Sequence, residues 1–68
     1  MCILINSNHG PILINWDDVS SLAPLKGEPA MCLCYKDGSI KNPRYNSREE
    51  ALAEFNRIVE RLKELGQL

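Results

Sequence analysis

Apolar positions fall first into short runs divided by turn-forming residues and then into one long helical stripe. Cys2 to Ile5 is apolar without alternation. Asn6-Ser7-Asn8-His9-Gly10-Pro11 is a cluster of turn formers and Ile12-Leu13-Ile14 a second apolar run, so the chain predicts an N-terminal hairpin. Asn15-Trp16-Asp17-Asp18 breaks the β-branched pattern, because Asn and Asp side chains bond their own backbone; a tight corner or a single helical turn is expected there. Val19 to Leu22 restores strand character, and Ala23 to Pro29, with prolines that cannot donate to a ladder, reads as a surface loop. Ala30 to Lys36 is the next strand. Asp37-Gly38 suits the positive φ of a type I′ hairpin, and Pro43 limits the return strand to Ile40 and its neighbours or places it at an edge.

The last third carries a helical period. Ser47 and Glu50 have the spacing of a capping box, in which the hydroxyl accepts the Glu50 amide and the carboxylate reaches back to the Ser47 amide, so a helix should begin at Arg48. Ala51, Phe55, Ile58, Leu62 and Leu65 follow at alternating spacings of four and three, Leu52 and Val59 widen the stripe, and Gly66 supplies the stop. Glu54 with Arg57, Arg57 with Glu60, and Glu60 with Lys63 stand three apart on the side that this pattern assigns to solvent. The expected architecture is a single α+β domain over residues 1–68. It has an antiparallel sheet of about four strands within residues 2–45, in β-β-β-β-α order, and one C-terminal helix over about 48–65 packed on it.

Strand side chains alternate between faces, and here both faces are apolar: Cys2 and Leu4 oppose Ile3 and Ile5, Ile12 and Ile14 oppose Leu13, and Cys32 and Cys34 oppose Met31, Leu33 and Tyr35. One helix covers one face. A second copy of the chain is the economical cover for the other, which makes a homo-oligomer the expected state, with Ile3, Ile5, Trp16, Met31, Leu33 and Tyr35 as candidate interface residues. Trp16 has an alternative role as a buried anchor of the corner. Two other arrangements stay open: a twisted sheet closing over itself as a barrel, and a helix–helix seam.

Composition sharpens this picture. The chain has 68 residues, 44% of them hydrophobic and 25% charged, which suits one globular domain and excludes a second. Ordering so short a chain costs on the order of 100 kcal/mol at ~1.5 kcal/mol per residue, so a small scaffold needs a staple or a partner. Three cysteines cannot all pair within one molecule, which argues against a secreted disulfide framework and for the cytoplasm. A net charge of −1 argues against general nucleic-acid binding, and no apolar run approaches the ~20 residues of a membrane span.

Cys32-Leu33-Cys34, Cys2 and His9 are possible soft metal ligands, but a C-x-C inside an apolar strand lacks the paired-knuckle spacing of structural zinc sites, so the thiols read as small buried hydrophobes. His9 reads as a turn residue. Lys36, Lys41, Arg44 and Arg48 against Asp37 give residues 36–48 a local charge of +3 that runs into a helix N-terminus. That placement makes Lys41, Arg44, Tyr45, Ser47 and Arg48 candidate ligands for a nucleotide or another small anion. Basic residues on an edge strand also protect it from sticking to other sheets. No base, nucleophile and oxyanion set can be assembled, so neither catalytic residues nor a cofactor is expected.

The run Ile3-Leu4-Ile5-Asn6, His9-Gly10, Ile12-Leu13-Ile14-Asn15, Val19, Leu22, Asp37-Gly38-Ser39 and Ser47 with Glu49-Glu50 resembles the small flagellar FlbD/SwrD-like family and similar short proteins of bacterial and phage genomes. The resemblance covers most of the chain, departing at Asn42-Pro43-Arg44 and in a longer helix. It implies a non-enzymatic accessory protein that acts through protein contacts in a bacterium or a phage-infected host cell, with no active-site residues to carry over.

Overall fold

A computed structural model describes all residues 1–68. The N-terminal hairpin is β1 (Cys2–Ile5) against β2 (Ile12–Asn15), antiparallel, with Ile3 opposite Ile14 and Leu4 opposite Leu13. Its turn is tied by reciprocal backbone bonds between Ser7 and Gly10, at 3.2 and 3.0 Å. The Asn15–Asp18 break is a single 3-10 turn over Trp16–Asp18, where the Asn15 side chain accepts the Asp17 amide at 3.2 Å.

That turn changes the direction of the chain enough to end the first ladder. β3 (Val19–Pro24) pairs with β4 (Met31–Tyr35), not with β2, and β5 (Ile40–Lys41) pairs with β4. The architecture is therefore α+β with five strands in two small antiparallel sheets, β1-β2 and β3-β4-β5, in place of one sheet of about four. β5 is two residues long. After it the chain stays in the same register beside β4, Ala30 bridging Arg44. Because Pro43 has no amide to donate, the Asn42 side chain donates to the Met31 carbonyl at 3.2 Å, while the Met31 amide donates to the Pro43 carbonyl at 3.0 Å and the Tyr45 amide to that of Pro29 at 2.8 Å. The Asn8 amide donates to the Arg44 carbonyl at 2.9 Å and so joins the two sheets at one corner.

Helix α1 spans Arg48–Glu64. Ser47 Oγ accepts the Glu50 amide at 3.1 Å as the capping box requires, but the Glu50 carboxylate reaches one residue further than expected and accepts the Asn46 amide at 2.9 Å. At the far end Gly66, at φ +75°, allows the Gln67 and Gly66 amides to bond the carbonyls of Leu62 and Lys63, closing the helix as a Schellman motif.

The core lies between the inner faces of both sheets and the helix: Ile3, Ile5, Ile14, Val19, Met31, Leu33, Tyr45, Ala51, Ile58 and Leu62. Four candidate interface residues, Ile3, Ile5, Met31 and Leu33, are thus interior to a single chain and offer no surface to a partner. Trp16 and Tyr35 are half-buried and pack against the same core. The helix covers the face that carries Ile3, Ile5, Met31 and Leu33 and leaves Leu4 and Leu13 on the uncovered one. The chain exposes 4287 Å², close to the roughly 4,300 Å² of a compact monomer of its 7.7 kDa mass. No helix is long and apolar enough to cross a membrane.

Candidate functional site

The residues proposed to gather an anion do not converge. Lys41, Arg44, Ser47 and Arg48 are all exposed, while Tyr45 is buried. Lys41 sits beside Tyr35, Asp37 and Ser39 near the β4–β5 hairpin. Ser47 is engaged as the helix cap, and Arg48 reaches away from the helix end to donate to the Leu25 carbonyl at 2.7 Å.

Tyr45 instead belongs to a polar cleft of about 380 Å³ between the β1–β2 turn and the first half of α1, where Asn6, Asn8, Asn46, Glu50, Glu54 and Arg57 surround it. Glu54 is the unexpected member. It is 8% exposed, its carboxylate accepts the Asn6 amide at 2.7 Å, and Arg57 grips it through two bonds of 2.7 and 2.6 Å. The same guanidinium donates to the Leu4 carbonyl at 2.8 Å. A pair that spacing alone assigned to the solvated side therefore clamps the helix onto the outer edge of β1. The signal was present: Ala51, Glu54, Ile58 and Leu62 follow at spacings of three, four and four, so Glu54 occupies the most buried row while Phe55 sits beside it.

Burial by itself pushes the Glu54 carboxyl up, but the Arg57 hydrogen bonds, the Asn6 amide and the Arg57 charge together hold it below its ordinary value. Arg57 is held above its own by the Glu54 hydrogen bond. Burial, and then the Glu54 charge, push Tyr45 up to about 12. The Tyr45 phenol is therefore a neutral donor, and its hydroxyl is buried with no protein partner. With Glu50 and Glu54 facing one Arg57, the cleft has a negative balance that opposes an anion.

The thiols are divided between sheets. Cys32 and Cys34 lie 3.5 Å apart on the outer face of the second sheet, and the Cys34 contact holds the Cys32 thiol above its ordinary value. Cys2 lies on the other sheet, and no three His, Cys, Asp or Glu side chains converge anywhere in the chain.

The outward faces of the sheets carry the remaining candidates. Cys2, Leu4 and Leu13 line the outside of the hairpin, with Leu4 at 49% and Leu13 at 69% exposure directly opposite one another. Ala23, Cys32, Cys34 and Ile40, the last 62% exposed, share the outer face of the other sheet. Comparison of the chain with protein-family models, with curated proteins and with solved structures finds no match.

Proposed function

We propose that the chain is a small non-enzymatic accessory protein that assembles as a homo-oligomer and acts through protein contacts. The observation that carries this reading is the Leu4–Leu13 pair, two large aliphatic side chains laid side by side on an uncovered sheet face. The total exposed area is ordinary for a monomer of this mass, so the support comes from where the apolar side chains lie and not from how many there are. The resemblance to the FlbD/SwrD-like family points the same way, and three unpaired thiols suit the bacterial or phage-infected cytoplasm. Light scattering over a range of protein concentration tests the assembly. A multiple of 7.7 kDa that dissociates on dilution is expected, and a monomer at every concentration overturns the reading.

The second reading is a protein that binds or sequesters a small ligand near the helix N-terminus. The buried Tyr45 hydroxyl without a protein partner favours it. The acidic balance of the cleft shifts the expected ligand from an anion to a neutral or cationic polar molecule. A thermal-shift panel of nucleotides, cyclic nucleotides, amino acids and polyamines, repeated on Tyr45→Phe and Arg44→Ala, separates these chemistries. A cleft ligand loses its shift in Tyr45→Phe, an anion held by the basic segment loses it in Arg44→Ala, and no shift at all removes the reading.

A further inference from the structure

The two sheets leave four lateral edges, and three are closed to strand addition. On β1, Glu54 takes the Asn6 amide, Arg57 takes the Leu4 carbonyl, and Arg44 takes the Asn8 amide. The β3 edge is broken by a bulge between Val19 and Ser21 and ends at Pro24. β5 is two residues long, carries Lys41 and runs into Pro43. These are the devices by which natural sheets prevent unwanted pairing. β2 is the least protected: Pro11 precedes it, but Ile12–Asn15 itself contains no charge, no proline and no bulge, and its outer side pairs with no strand.

The groups presented at that edge follow from the ladder. The Trp16 amide donates to the Met1 carbonyl, and the Leu4 carbonyl points off the far side of β1 toward Arg57. Leu4 and Leu13 are therefore a non-hydrogen-bonded pair, and Leu13 turns its own N–H and C=O outward from β2. Resting on the homo-oligomer reading, we infer that β2 is the assembly seam, at which two copies pair antiparallel about a two-fold axis through Leu13.

In that register Leu13 exchanges both backbone bonds with the partner's Leu13, and each Asn15 amide faces the partner's Pro11 carbonyl, a contact that proline can accept. The outer face then carries an unbroken row of Leu4, Leu13 and their two counterparts, in which each Leu13, the most exposed large hydrophobic of the chain, gains an aliphatic cross-strand neighbour on its open flank. Half-buried Ile12 comes beside the partner's Ile14 on the inner side. Charge favours the same direction. One end of β2 leads to Asp18 and to Asp17, the latter paired with the Met1 ammonium at 3.0 Å, and the other to His9 with no acid, so antiparallel pairing keeps the two Asp18 carboxylates apart, whereas parallel pairing would set them together.

Sedimentation of the full chain and three variants tests the seam. The parent is expected at twice 7.7 kDa, Leu13→Lys at 7.7 kDa with an unchanged far-ultraviolet spectrum, and Leu4→Lys, one strand removed, still dimeric. Leu13→Cys, with Cys2, Cys32 and Cys34 replaced by Ser, should oxidise to a single symmetric disulfide, because hydrogen-bonded antiparallel partners stand at about 5.5 Å between Cα atoms, within disulfide reach. A dimer that survives Leu13→Lys, or a Leu13→Cys variant that does not cross-link while dimeric, overturns the seam and leaves self-assembly standing. Loss of the dimer in Leu4→Lys as well as Leu13→Lys moves the contact from the edge to the face and overturns the seam. A monomeric parent overturns both.

Discussion

The Glu54 carboxylate accepts the backbone N–H of Asn6 at 2.7 Å across 48 positions of sequence. This bond and the Arg57–Leu4 bond beside it are the polar ties between the helix and the first hairpin. Removing the acceptor leaves the part-buried Asn6 amide without its partner and the half-exposed Arg57 with the Leu4 carbonyl alone, so Glu54→Ala should cost about 2 kcal/mol. Glu54→Gln keeps an oxygen for Asn6 but loses the ion pair, and should cost about half of that. Urea titration of both variants checks the order. A Glu54→Ala variant within ~0.5 kcal/mol of the parent would show that the clamp does not hold the helix.

The same carboxylate gives the fold an acid limit. Its folded pKa lies below its ordinary value of 4.5, so unfolding takes up a proton between the two. The stabilisation is complete above 4.5 and is lost as pH falls through the lowered folded value. Asp37, held low by the Ser39 hydroxyl and then by its amide, loses stability in the same direction. Urea midpoints measured from neutral pH downward should therefore fall steeply in the parent and less steeply in Glu54→Gln. Parallel curves would assign the acid sensitivity to other carboxylates.

The α+β layout with its C-terminal helix, the tight corner at Trp16–Asp18, the short return strand before Pro43 and the Gly66 stop were legible because each is set by local chemistry within a few residues, whereas five strands in two sheets stand where one sheet of about four was expected. Two further features were not legible. The face that the helix covers depends on which way the hairpin rotates after Trp16–Asp18, and a turn motif does not encode that rotation; hence Ile3 and Leu33 were placed outside while Leu4 and Leu13 are the exposed ones. The burial of Glu54 required a partner in β1, since an i, i+3 pair with Arg57 looks the same on paper whether or not a strand edge approaches it. Of the expected ligand residues, Tyr45 alone faces the cleft: it is buried next to exposed Arg44, and Arg48 is drawn off to the Leu25 carbonyl.

Ser47→Ala should cost about 1 kcal/mol, the usual value of a lost N-cap, since Ser47 Oγ supplies the acceptor for the Glu50 amide at 3.1 Å. The Glu50 carboxylate bonds Asn46 and not Ser47, so that half of the box survives the substitution. In a chain this short the loss lowers the melting temperature by about 4–8 °C. Ser47→Asp should restore it, because a carboxylate both caps and complements the helix dipole. Failure of Asp to restore stability would show that the hydroxyl is needed for something other than the cap.

Tyr45→Phe separates the structural value of the ring from the chemistry of its hydroxyl. The ring is part of the core at 8% exposure, so Phe keeps the packing, while the hydroxyl that it removes is buried without a protein partner. An unpaired buried hydroxyl costs about 1–3 kcal/mol, so the variant should be at least as stable as the parent at neutral pH. At high pH the two should diverge further. The folded phenol holds its proton to about 12 against an ordinary value of 10, so stability from this group is full below 10 and is lost as pH rises through 12. The Phe variant lacks that alkaline loss, and the difference between the two curves isolates Tyr45 from the lysines and Tyr35. If Tyr45→Phe instead loses more than ~1 kcal/mol at neutral pH, the hydroxyl makes a bond that stabilises the fold, and the cleft then holds a bound partner for it. Thermal denaturation of the parent and the variant at pH 7 and pH 11 decides between these outcomes.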